Sequence, residues 1–164
     1  MSKISSTPLD IVGILQVCRD IEVCCAEIYR VYEERFADDA ELQTLWAKTR
    51  AEEENHARQF ALAINMRREG VVVSTSIDKV KATVVLAMLK SIYDGILLHT
   101  PTRLDALRSA IKLEEKLAAF HLEAVASFQD DSLRKMFQSM MRADNLHLKA
   151  LEDMFKLRLG DEDR

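Results

Sequence analysis

Four stretches of this chain space their apolar residues by alternating steps of three and four, and each stripe is interrupted by acidic or imidazole side chains. Ile11, Leu15, Cys18, Cys25, Tyr29, Tyr32 and Phe36 share one helical face with Glu22. Leu42, Trp46, Thr49, Phe60 and Ala63 share one with Glu53 and His56. Leu104, Leu107, Ile111, Ala118, Val125 and Phe128 accompany Glu114 and His121, and Leu133, Phe137, Met140, Leu151 and Met154 accompany Asp144 and His147. Residues three or four apart lie on the same side of a helix, so each stripe predicts a helix with one buried face. Only four Gly and two Pro interrupt 164 residues, which favours long helices over a turn-rich β fold.

Capping residues divide the chain. Thr7 followed by Pro8 starts a first helix expected to run to about Phe36. Asp38, Asp39 and Glu41 begin a second, which continues to about Arg68 before Gly70. A short connector, 71–76, precedes a further helical stretch from about Ile77 to Leu98. Thr100-Pro101-Thr102 starts the next helix, ending near Phe128, and Asp130-Asp131 caps a last one closed by Gly160. Thr7-Pro8 recurs as Thr100-Pro101, and Phe36-Ala37-Asp38-Asp39 as Phe128-Gln129-Asp130-Asp131. Each half is therefore expected to be a helical hairpin. The stretch between them, roughly 33 Å long at 1.5 Å per residue, is long enough to return the chain along a bundle. The fold class expected is an all-α four-helix bundle, two antiparallel hairpins joined by a crossover helix, as one domain over residues 1–164.

The net charge of −4 offers no basic surface for nucleic acid or an anionic membrane. MSKISSTPLD lacks the apolar run of a signal peptide, and no stretch is apolar enough to span a membrane, so a soluble cytoplasmic protein is expected. Cys18, Cys24 and Cys25 cluster on one helix. Their odd number argues against a disulfide framework, and Cys18 and Cys25 read as small buried hydrophobes.

Each hairpin places one carboxylate on its first helix, Glu22 or Glu114, and a carboxylate-x-x-His pair on its second, Glu53/His56 or Asp144/His147. Glu22 and Glu53 straddle their loop almost evenly, as do Glu114 and Asp144, so antiparallel packing brings each pair to one level. Four carboxylates and two imidazoles then meet in an apolar interior, where unpaired charge is costly. Two divalent cations would balance the four negative charges. Glu27 falls with Asp20, Arg30 and Glu34 on the opposite, solvated face, and of Glu52, Glu53 and Glu54 only Glu53 is in phase. Glu115, near Lys112 and Ala119, reads as an exposed ion-pairing residue. His121 faces inward, either hydrogen-bonded to a ligand or filling the core.

With these motifs the chain resembles the ferritin-like superfamily, and within it the rubrerythrin-like di-iron proteins without their rubredoxin domain. The resemblance covers the full length and implies that Glu53 and Asp144 bridge two metals, that Glu22 and Glu114 are terminal ligands, and that His56 and His147 each hold one ion. Leu117 stands where full rubrerythrins place an extra glutamate. Asp144 is one methylene shorter than the glutamate of that pattern. It is expected to hold one ion rather than bridge, leaving one tight and one weaker position. Oxygen and imidazole donors suit iron, with manganese possible. Tyr29, seven residues after Glu22, is expected to donate to Glu22 or to bound oxygen species. The implied activity is that of a di-iron oxidoreductase acting on peroxide or dioxygen. It would be re-reduced by an external donor such as a rubredoxin-like protein and would form a homodimer or higher homo-oligomer. An iron-binding or storage oligomer and a metal-free helical interaction module are the alternatives.

Overall fold

The computed structural model describes residues 8–68, 78–125 and 130–162. Among these it forms helices α1 (Pro8–Arg35), α2 (Ala40–Arg68), α3 (Lys79–Leu98), α4 (Arg103–Val125) and α5 (Asp131–Glu162). α1 packs on α2 and α4 on α5, giving two hairpins; α2 also meets α5, and α3 lies along α1 as the crossover. This is the four-helix bundle with a crossover that the stripes predict. No helix among the described residues is long and apolar enough to cross a membrane. The expected cap at Thr7, the stop at Gly70, the connector 71–76 and the helix end at Phe128 lie outside the described residues, as do the side chains of Val125 and Leu133.

Side-chain caps fix the helix starts. The Leu42 backbone N–H donates to Asp39 Oδ1 at 3.2 Å, that of Val80 to Asp78 Oδ1 at 2.9 Å, and that of Asp105 to Thr102 Oγ1 at 3.1 Å. The Asp78 cap starts α3 at Lys79, and the expected start at Ile77 lies outside the described residues. Gly160 does not end α5, which continues to Glu162. A glycine stops a helix by turning left-handed, and Gly160 has no left-handed φ.

Every apolar stripe residue of α1 is buried, and so is Glu22. Two aromatic clusters close the core on either side of its middle. On one side Tyr29 stacks on Trp46 at 5.8 Å between ring centroids, and Tyr32 meets Trp46 at 4.9 Å. On the other, Phe60 meets Phe137 edge-on at 4.8 Å and His121 at 6.3 Å. The polar residues sit between these clusters, screened from water.

Candidate metal centre

The polar interruptions of the four stripes converge. Glu22, Glu53, His56, Glu114, His121, Asp144 and His147 are each at most 3% exposed. Two groups have ligand atoms all within 4.8 Å of one another: Glu22, Glu53 and His56, and Glu53, Glu114 and His147. Glu53 belongs to both, while Asp144 belongs to neither. His56 Nδ1 lies 3.5 Å from Glu22 Oε2 and 3.4 Å from Glu53 Oε2, and His147 Nδ1 lies 3.6 Å from Glu53 Oε1.

Helix direction decides which side chains pair. Tyr29 of α1 reaches Glu114 of α4, whereas Glu22, two turns earlier on α1, reaches His121, two turns later on α4. α1 and α4 therefore run antiparallel. This corrects the expectation for Tyr29, whose hydroxyl donates to Glu114 Oε1 and not to Glu22. The helix period gives the face of Tyr29, but the opposing helix supplies its acceptor. His121 fills no passive role in the core. Its Nε2 lies 2.6 Å from Glu22 Oε1 and its Nδ1 2.6 Å from Asp144 Oδ2.

Glu52 is a second correction. It is not simply part of a solvated face: half-buried, its carboxylate contacts His147 Nε2, leaving Nδ1 turned toward Glu53. A ligating histidine commonly has its second nitrogen held by a carboxylate in this way. Nothing along α2 marks Glu52, because its partner stands on α5. Glu115 is exposed and Glu27 pairs with Arg30 at 3.2 Å, both outside the cluster.

Electrostatics follow from burial and pairing. Burial pushes Glu53 well above the usual carboxylate range, and the neighbouring Glu114 charge adds to it. Burial also lifts Glu114, to about 8, despite the hydrogen bond from Tyr29. For Glu22, burial is outweighed by the charge and hydrogen bond of His121, which hold it well below that range. His56 is lifted to about 10 because Glu22 and Glu53 outweigh its burial. His147 falls to about 4 through burial and the proximity of His56, and so presents a neutral ring. In the metal-free protein, protons on Glu53, Glu114 and His56 supply the compensation that bound cations would otherwise supply. Burial and nearby glutamate charge push the Cys18 and Cys25 thiols well up, so both remain protonated hydrophobes rather than thiolate ligands.

The donor set can be tested against a pair of metal ions. Glu22 Oε2, both oxygens of Glu53, His56 Nδ1, Glu114 Oε2 and His147 Nδ1 are buried without a hydrogen-bond partner. Buried polar atoms are ordinarily satisfied, so six such atoms converging on one place are an anomaly that cations would remove. Ligands of one ion at about 2.1 Å stand about 3.0–3.5 Å apart, close to the separations around His56. The residues fit. The chain matches no family model, no curated protein and no solved structure, so the centre is read from its own geometry.

Proposed function

We propose that this bundle is a ferritin-like, rubrerythrin-like di-iron carboxylate oxidoreductase of the cytoplasm, acting on peroxide or dioxygen. The observation that carries the reading is the pair of ligand groups sharing Glu53, with their facing atoms buried and unpartnered. Glu53 would touch both ions; Glu22 and His56 would complete one position, Glu114 and His147 the other. Iron held there would supply electron transfer to the oxidant, and manganese suits the same donors. Glu52 orients His147, and Tyr29 holds Glu114 while keeping a phenolic proton beside the site. The two aromatic clusters keep bulk water out, which strengthens every charge interaction inside. Cys18, Cys24 and Cys25 form no Cys-x-x-Cys pair, and the proposal includes a separate reductant such as a rubredoxin-like protein. It also includes a homodimer or higher homo-oligomer, a reading supported by Val80, Val84 and Leu98, all at least 63% exposed on α3.

Elemental analysis of iron-reconstituted chain should give about two ions per chain, with the near-ultraviolet absorption of a ferric pair after oxidation. Peroxide consumption should then depend on added reductant. A reproducible metal content near zero would leave the interaction-module alternative. Light scattering reads the oligomeric state.

A further inference from the structure

The site residues of the two hairpins are related by a pseudo-two-fold. Glu22 and Glu114 are 92 positions apart, as are Tyr29 and His121; Glu53 and Asp144 are 91 apart, as are His56 and His147. The relation is reciprocal in space, since Tyr29 of the first half holds Glu114 of the second, and His121 of the second holds Glu22 of the first. It breaks at one pair. The single hydroxyl of Tyr29 is directed to Glu114, which leaves both oxygens of Glu53 without a partner. An imidazole has two nitrogens, and His121 extends its second one to Asp144 Oδ2 at 2.6 Å. The other oxygen of Asp144 stands 3.9 Å from His56 Nδ1, farther than the facing oxygens of Glu22 and Glu53.

We infer that Asp144 is not a metal ligand but the anchor of an Asp144–His121–Glu22 relay that positions Glu22. The inference rests on the metal-centre reading proposed above, keeps its ligands Glu22, Glu53, His56, Glu114 and His147, and gives Asp144, a ligand by the family resemblance, a different role. His121 is fully buried between the two carboxylates. If either swung away to chelate an ion, a ring nitrogen would be left unpaired in the core, an outcome that is expensive there. Glu22 Oε1 is likewise committed to His121, so only Oε2 faces the centre and Glu22 binds through one oxygen. His121 and Asp144 are thus positioning residues, acting on an ion only through Glu22.

The test is anaerobic Mn(II) titration of the metal-free full-length chain by calorimetry, with wild type, Asp144→Asn, His121→Gln and the double variant. All four should take up two ions. Each single variant should weaken the ion on Glu22, Glu53 and His56 by roughly 10- to 100-fold, as loss of a ligand's outer partner typically does. Because both act along one path, the double variant should be no weaker than the worse single. Asp144→Asn losing one ion outright while His121→Gln keeps two would overturn the inference and leave the metal centre standing. Losses that multiply in the double variant would overturn it too. A metal-independent measurement separates the two readings: nitrogen-15 NMR of the His121 ring in the metal-free protein. The Nδ1 signal should move in Asp144→Asn and the Nε2 signal in Glu22→Gln. Ring signals insensitive to both would sink the relay, whereas a wild type showing the relay but binding no Mn(II) would sink the metal centre and the ligand list built on it.

Discussion

Tyr29 and Glu114 show what a single hydrogen bond does for a buried carboxyl. The Tyr29→Phe variant keeps the stack on Trp46 but leaves Glu114 Oε1 without its donor. The metal-free protein should lose about 1–2 kcal/mol in urea unfolding, the usual cost of orphaning such a group. An unchanged midpoint would show that Glu114 finds another donor. Titration gives a second residue-scale prediction. In the metal-free fold Glu114 rises from 4.5 to about 8 and His56 from 6.5 to about 10. Both bind a proton more tightly folded than unfolded, so their stabilisation is complete below 4.5 and 6.5 respectively and is lost as pH rises through about 8 and about 10. Glu22 and His147 are shifted down, and their stabilisation is lost as pH falls, for His147 between 6.5 and about 4. From pH ~6.5 to ~9, then, these four groups only lose, and chelator-treated protein should become less stable by about 2 kcal/mol or more. Mn(II)-loaded protein should not follow, because the ions replace those protons. Thermal unfolding across that range checks both arms. The polar interruptions themselves were legible in the sequence because each stands out on an apolar stripe. Their pairing was not: Tyr29 with Glu114, Glu52 with His147 and His121 with two carboxylates all depend on the register between helices, which the period of one helix does not contain.

Among the elements, the start of α2 concentrates several interactions on one side chain. Asp39 caps the helix through the Leu42 N–H and also takes Arg158 of α5 at 2.8 Å and Arg103 of α4 at 3.5 Å. Its replacement, Asp39→Ala, should cost about 1–2 kcal/mol, at the upper end for a lost cap, because Arg158 loses an acceptor as well. A loss below ~0.5 kcal/mol would mean that Glu41, 2.9 Å from Arg158, takes over. Two residues beyond Arg158 on α5, a Cβ on Gly160 would meet nothing within 4 Å. Gly160→Ala should therefore raise the melting temperature, with a gain of up to about 1 kcal/mol from helix propensity. A decrease would show that the helix does end at Gly160 in solution. The caps made most helix starts readable, since Asp39 and Thr102 act through their own side chains. The end of α5 is less legible, because glycine marks a stop only when the backbone turns left-handed there, which is a matter of surroundings as much as residue type.

For the whole molecule, the repeated Thr-Pro and Phe-x-Asp-Asp signals disclosed two hairpins, and the length between them disclosed the crossover. How the hairpins face each other was not disclosed, since that follows from core packing and from contacts such as Tyr29 to Glu114. The candidate centre draws its residues from both halves, so a bound metal would tie them together. Chelation should lower the melting temperature of the loaded protein, by an amount equivalent to ~2.7 kcal/mol where the free ion stood at about 100 times its dissociation constant. Calorimetry with and without Mn(II) measures it, and equal melting temperatures would show that the ions do not bind the folded state preferentially. The same division of ligands sets a timetable for biosynthesis. Glu22, Glu53 and His56 emerge from the ribosome with the first hairpin, whereas Glu114 and His147 follow only after the crossover helix. A nascent chain paused at the end of α3 thus carries one three-residue set and no more, so under the proposed two-ion reading the order of capture would follow the order of synthesis.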